Sequence, residues 1–350
     1  MSDTGGDVVI RREGRAGRIT MNRPAALNAL THAMVGAIAE ALARWRDEPG
    51  VELVLLDGAG ERALCAGGDV LSLYESRASG SAAACAFWRD EYRLNAAIHR
   101  YPKPYVAIMD GIVMGGGIGL ASHGRHRIVT ERSMLAMPET GIGLIPDVGG
   151  TWLLAHAEGQ LGNYLGLTGA RMSGADAIQA GFADSYMPAS GLGALKARLV
   201  DARGADVEAI IAEAEAPVPA SPLSAARANL DRWFAADSIE AIGRELLTTT
   251  DPLAQKIRAD LAQKSPLALK ATLAALRRAR TMGRLEDALE QEYRLVVRLY
   301  ERGEFNEGVR ALLVDKDRRP QWNPADLAGV TDALVAALLA PLPAGEELVW

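Results

Sequence analysis

Two cysteines, Cys65 and Cys85, are all that a chain of 350 residues holds. They stand 20 positions apart, which fits no zinc-ligand or thioredoxin spacing and no disulfide framework. A reducing compartment is the simplest reading. Blocks of lysine or arginine are also missing, and the net charge is −6. That argues against non-specific nucleic-acid binding, and an anionic ligand then has to be met by local basic residues. Long apolar runs are lacking too. Nothing approaches the ~18 apolar residues needed to cross a bilayer, so no membrane partner is expected. The N-terminus, MSDTGGDVVI, is acidic and poor in apolar residues, unlike a secretory signal or an arginine-rich transit peptide. The chain reads as cytoplasmic.

Several catalytic signatures are incomplete. The run Gly115-Gly116-Gly117 lacks the third glycine of G-x-G-x-x-G, because Leu120 stands there. No Gly-Lys-Ser/Thr follows it, which removes a phosphate-binding P-loop. Ser122 and Ser133 have no glycine elbow around them, which argues against a serine hydrolase. His123 and His126 have no further metal ligands at suitable spacing. What remains is 49% hydrophobic and 23% charged, the balance of a globular enzyme with a sizeable core in one large domain or two smaller ones.

The chain is organised around residues 104–152. Val106–Met109 is an apolar run of strand length, the glycine run follows, and an apolar segment of helical length starts at Ile118. Glycines at such a junction let the backbone approach a ligand closely, and N–H groups at a helix start suit an oxygen carrying negative charge. Glu139 and Asp147 come next, eight residues apart, each beside a proline.

Elsewhere, Val8–Ile10 and Arg18–Met21 read as a hairpin. Thr31 caps a helix expected to run to Asp47, with Met34, Ile38, Leu42 and Trp45 on one face. Val51–Asp57 reads as a strand covered on both faces. Leu64–Asp69 forms a second glycine turn before a helix over Val70–Tyr74, and residues 81–99 read as a longer helix. The order of strand, glycine turn and helix thus occurs twice, which points to an α/β fold of repeated ββα units. Beyond Gly150 the pattern is mostly helical, with a linker-like segment at 216–222 and a helix start at Ser265-Pro266. A division into 1–220 and a helical 221–350 follows.

Two glycine turns can each offer one N–H, and two donors on one oxygen make an oxyanion hole. One such donor stabilises a transition state by roughly 3 kcal/mol. Gly68 and Gly116 are the candidates, and tight helix–strand packing is the rival explanation. Glu139 and Asp147 lie in apolar, glycine-rich surroundings, where burial and mutual repulsion can split two carboxyls into an acid and a base. A turn or cap role stays open, above all for Asp147.

LCAGGD (64–69), GIVMGGGIGLA (111–121), MPETGIGLIPDVGG (137–150) and ITMNRPAALNAL (19–30) resemble the enoyl-CoA hydratase/isomerase (crotonase) superfamily. FWRDEYRLN (87–95), SPLALKATL (265–273) and EFNEGVRALLVDKDRRPQWNP (304–324) resemble its branch that hydrolyses 3-hydroxyacyl-CoA thioesters. The resemblance covers nearly the whole chain. It implies a crotonase-like spiral of ββα units with a helical C-terminal region, the latter completing the site and supplying oligomer contacts. It implies an acyl-CoA substrate and no metal or redox cofactor. The thioester oxygen would sit between the N–H groups of Gly68 and Gly116, with Glu139 and Asp147 catalytic. Glu91 would lie in the acyl pocket, and Ala66, Gly67 and Asp69 would line the coenzyme A channel. A hydratase of this family uses two glutamates, and the second would fall at Gly119. The eight-residue spacing of Glu139 and Asp147 also occurs in dienoyl-CoA isomerases of the family, and it is Glu91 with the match over 304–324 that makes thioester hydrolysis, of 3-hydroxyisobutyryl-CoA in valine breakdown, the expected reaction. A hydratase, a dienoyl-CoA isomerase or a non-catalytic acyl-CoA binder remain the alternatives.

Overall fold

Strand β1 (Val8–Glu13) turns back into β2 (Ala16–Met21), pairing antiparallel from Val8↔Met21 to Glu13↔Ala16. This is the hairpin read from the sequence. The chain is described by a computed structural model over residues 6–350. The first five residues of the N-terminal stretch read for targeting signals lie outside the described residues.

Helix α1 (His32–Asp47) starts where expected, with the Thr31 hydroxyl accepting the Met34 N–H at 3.3 Å. Its buried face carries Met34, Val35, Ile38, Ala41, Leu42 and Trp45.

Three successive strand pairs follow. They are β3 (Leu53–Gly58) with β4 (Ala63–Cys65), β5 (Tyr105–Met109) with β6 (Ile112–Met114), and β7 (His126–Val129) with β8 (Met134–Ala136). Helices α2 (Val70–Ser76) and α3 (Ala82–His99) follow the first pair, and α4 (Gly116–Ala121) follows the second. The first member of each pair joins one parallel ladder, with Val54↔Tyr105 and Val106↔His126. The second member joins another, with Ala63↔Ile112 and Ile112↔Met134. Each turn of chain therefore lays one strand in each sheet, and the result is the crotonase-like spiral.

Strands β9 (Met172–Ser173) and β10 (Ser185–Tyr186) complete the sheets, whose orders are β1-β2-β3-β5-β7-β10 and β4-β6-β8-β9. These two strands fall where strand signals fade, because two residues cannot show alternation. β3 is buried from Leu53 to Asp57, as its apolar run predicts. One face of the large sheet, through Leu53, Leu55, Val106, Ile108 and Ile128, packs on Leu195, Leu199 and Ile211 from the helices Leu192–Val200 and Val207–Ala214.

The chain divides into two compact units. The first is Met1–Asp69, Asp90–Ala136 and Arg171–Ser224, and it holds both sheets. The second is Val70–Arg89, Met137–Ala170 and Ala225–Trp350, and it is helical. It contains α5 (Gly150–His156), α6 (Leu161–Thr168) and the long helices Pro266–Ala279 and Leu285–Arg302. Ser265 caps the former through the Ala268 N–H at 3.0 Å, with Pro266 as its first residue. One expectation needs correction. The segment from Ile118 is not a long helix: α4 starts at Gly116 and stops after six residues, where a turn reaches Gly124. No helix among the described residues is long and apolar enough to cross a membrane.

Candidate active site

In the first unit the two glycine turns lie side by side. Gly67 has φ +114°, open only to glycine in practice, and turns the chain after β4. Leu30 bridges this turn: its N–H donates to the Gly67 carbonyl at 2.8 Å, and its carbonyl accepts the Asp69 N–H at 2.9 Å. The bridge takes atoms on both sides of Gly68 and not the Gly68 N–H. Gly116 is the first residue of α4, so its N–H lies outside the helical bonds. A methyl placed on Gly116 would sit 3.4 Å from the Gly68 nitrogen and 2.6 Å from Glu91 Oε1. Gly68, Gly116 and the buried carboxylate of Glu91, 2% exposed, are thus brought together. Two neighbouring backbone donors suit an oxygen that gains negative charge. The donors themselves carry this argument, since six residues of α4 supply little dipole.

The residues expected to line a coenzyme A channel are tied to the N-terminal stretch. The Ala66 N–H donates to the Leu27 carbonyl at 3.0 Å. Arg23 grips Asp69 Oδ2 with both terminal nitrogens at 3.1 Å and reaches the Ala29 carbonyl at 2.8 Å. Asn28, left-handed at φ +57°, accepts the Arg23 N–H at 2.8 Å and donates to the Ala63 carbonyl at 2.8 Å. Arg23 and Asn28 brace the glycine turn from behind, a role the sequence did not reveal. Cys65, beside that turn, is fully buried, and burial pushes its thiol up to about 12.

In the second unit Glu139 opens a short 3-10 turn, Glu139–Ile142, and Asp147 lies beyond it on the same loop. Each is 6% exposed. The turn is pinned on several sides. The Ser265 N–H donates to the Thr140 carbonyl at 3.1 Å, and the Thr140 hydroxyl donates to the Leu167 carbonyl at 3.1 Å. Gly143 lies against the Glu304 carbonyl so closely that a methyl there would sit 2.4 Å away. The Lys264 ammonium approaches the turn, 3.4 Å from the place a methyl on Gly141 would take. Burial pushes this lysine below its usual range, and the charges of Asp260 and Glu139 pull it back up. Glu304 accepts from the Asn323 N–H at 3.1 Å and the Ser265 hydroxyl at 3.2 Å, and burial pushes its carboxyl up to about 7.

Beyond Asp147, Val148 and Gly149 are both left-handed, at φ +54° and +78°. Glu292, from the helix Leu285–Arg302, accepts the Gly149 N–H at 2.7 Å and the Thr151 N–H at 2.9 Å, and it takes the Thr151 hydroxyl as well. Sequence reasoning missed Lys264, Glu292 and Glu304. Glu292 did leave a signal. Leu285, Leu289, Val296 and Leu299 form the buried stripe of its helix, and a carboxylate occupies the position within it where an apolar residue is due.

Residues 16–339 match the family model described as Enoyl-CoA hydratase/isomerase. The chain belongs to this family. The chain is 40% identical over 342 residues to the mitochondrial 3-hydroxyisobutyryl-CoA hydrolase of Danio rerio, covering 95% of this chain and 89% of that one. A crystal structure of a carnitinyl-CoA dehydratase from Mycobacterium thermoresistibile is 48% identical with a TM-score of 0.93, covering 99% of both chains. One of an enoyl-CoA hydratase from Rhodobacter sphaeroides 2.4.1 is 46% identical with a TM-score of 0.93, covering 99% of this chain and all of that one. These proteins bear three different names, a hydrolase, a dehydratase and a hydratase.

Proposed function

We propose that this family member hydrolyses a short-chain 3-hydroxyacyl-CoA thioester, 3-hydroxyisobutyryl-CoA, to 3-hydroxyisobutyrate and free coenzyme A, a step of valine breakdown. The observation that carries the reading is Gly119, buried in α4 where a hydratase of this family would hold its second glutamate. The curated relative at 40% identity bears the name of this hydrolase.

In this reading the N–H groups of Gly68 and Gly116 receive the thioester oxygen as it gains negative charge. Glu139 either attacks the carbonyl carbon, giving a mixed anhydride that water then opens, or takes the proton from the attacking water. Asp147 handles the proton that the departing coenzyme A thiolate finally carries. Glu91 accepts the substrate's 3-hydroxyl, and Ala66, Gly67 and Asp69 line the path of the coenzyme A arm. Overall, water supplies hydroxyl to the acyl carbon and hydrogen to sulfur. No oxidant, metal or separate cofactor enters the balance. The same reading includes a cytoplasmic location, although the Danio rerio relative is named as mitochondrial, and an assembly of several copies of the chain.

A second reading is hydration of an enoyl-CoA, which the name of the Rhodobacter sphaeroides structure favours. Thiol release from 3-hydroxyisobutyryl-CoA, assayed beside hydration of crotonyl-CoA, separates the two. Release with little hydration is expected. Hydration without release overturns the hydrolase reading. Hydrolysis in heavy-oxygen water then distinguishes the routes, since label incorporated into Glu139 marks the anhydride.

A further inference from the structure

The helix Leu285–Arg302 turns an apolar stripe inward, and Glu292 stands in that stripe with 0% exposure. A buried carboxylate is costly compared with an apolar side chain of the same size, so its retention calls for a reason. Its partners supply one. Glu292 Oε2 accepts the Gly149 N–H at 2.7 Å, and Oε1 accepts the Thr151 N–H at 2.9 Å together with the Thr151 hydroxyl. These partners lie more than 140 residues away in sequence, immediately after Asp147.

Between Asp147 and the clamped amides lies Val148 at φ +54°. A β-branched residue rarely adopts this conformation, and such backbone persists only where its surroundings over-determine it. Gly149 at φ +78° continues the bend, and the Gly150 N–H closes it on the Asp147 carbonyl at 2.6 Å. Glu292 therefore grips the far end of a strained turn whose near end carries the Asp147 side chain. The two carboxylates also feel each other. Burial pushes Glu292 up to about 8, its donors pull it down, and the charge of Asp147 pushes it up again.

We propose that Glu292 is the positioning residue for Asp147, holding Val148 left-handed through the Gly149 and Thr151 amides and so fixing where the Asp147 carboxylate points. This rests on the assignment of Asp147 to the reaction.

The test is Glu292→Gln in the full chain. Glutamine keeps the shape and one acceptor oxygen, and it turns an amide nitrogen toward one of the N–H donors. Thiol release from 3-hydroxyisobutyryl-CoA should lose at least about tenfold in kcat, with KM changed by less than about threefold. The thermal midpoint should fall only modestly, because one buried N–H loses its acceptor while the shape of the side chain is kept. Amide hydrogen exchange across residues 147–151 should accelerate. Unchanged kcat, or a kcat loss with unchanged exchange, overturns the proposal. If Glu292→Gln does not fold, Glu292→Asp keeps the acid and draws it back by one methylene from the Gly149 and Thr151 amides, and wild-type kcat and exchange in that variant overturn it equally. Should the wild-type chain release no thiol, the proposed reaction fails. The exchange comparison still decides whether Glu292 holds the turn.

Discussion

Glu91 Oε1 lies 2.6 Å from where a methyl on Gly116 would sit, and the Gly68 nitrogen lies 3.4 Å from the same point. Gly116 is therefore glycine because of what stands in front of it. Next to it, a methyl on Gly117 would lie 2.3 Å from the Cys65 carbonyl oxygen. The two neighbours should respond differently to alanine. The Glu91 carboxylate ends a flexible side chain and can swing aside, whereas the Cys65 backbone in β4 cannot. Gly116→Ala should fold and lose activity, on the order of 10²-fold in kcat/KM, if the proposed oxyanion donor is disturbed. Gly117→Ala should lose stability first, by about 1–3 kcal/mol. Kinetics with 3-hydroxyisobutyryl-CoA and urea unfolding of both variants check the contrast. Equal stability loss in both would refute it.

Asn28 explains how a stretch far from the glycine run serves it. Its side chain is buried and joins the Arg23 amide, the Ala59 carbonyl and the Ala63 carbonyl. Its backbone is left-handed, a region asparagine tolerates better than alanine. Asn28→Ala strands buried polar partners and adds backbone strain. The expected loss is about 2–4 kcal/mol in urea unfolding, with activity falling in the folded fraction because the Leu27–Leu30 brace loosens. A variant as stable as the wild type would show that the brace does not matter.

These two cases mark how far the sequence reaches. The strands β3 and β5, the hairpin, the Thr31 cap and the glycine turns follow from local rules of period, turn chemistry and capping, so they were legible, whereas the three-residue strands β4, β6 and β8 are too short to show a period. The neighbourhood of Gly68, Gly116 and Glu91 was legible in part, because strand–turn–helix order puts glycines at strand ends. Its distances depend on two parallel ladders. What stayed hidden were residues acting across long separations. Asn28 reads locally as one more turn residue, and its partnership with Ala63 exists only once β4 is placed. Glu292 appeared as a charge in a helix, and only the buried stripe around it shows that its carboxylate serves Gly149 and Thr151. α4 proved shorter than the apolar segment from Ile118 suggested, because the apolar residues end at Ala121 and Ser122-His123-Gly124 turn the chain.

Glu139 carries the proposed chemistry, and its neutral isostere separates catalysis from binding. Glu139→Gln keeps the shape of the side chain and removes its charge. Thiol release should fall by about 10²–10⁴-fold. Binding of coenzyme A, followed by titration calorimetry, should change little. Full turnover in this variant would remove Glu139 from the reaction. Lost turnover with normal binding excludes a pure acyl-CoA binder.

Glu304 gives the pH dependence of the wall behind Glu139. Burial, the largest influence, pushes its carboxyl from the ordinary 4.5 up to about 7, against the pull of the Asn323 amide and the Ser265 hydroxyl. Between those values the folded chain keeps a proton on Glu304 that the unfolded chain has released. Stability from this group is thus full below about 4.5 and is lost as the pH rises to about 7. Ser265 also holds the Thr140 carbonyl through its own N–H, so the loss bears on the turn that carries Glu139. Urea unfolding of the wild type at several pH values from 4.5 to 7.5 should show a downward contribution. After discounting for partial solvent screening it amounts to ~1–2 kcal/mol. Glu304→Gln cannot titrate, so its stability should decline less steeply over the same range, while every other group contributes alike to both proteins. Parallel curves for the two would mean that Glu304 titrates at an ordinary value and that its proton does not bear on this wall.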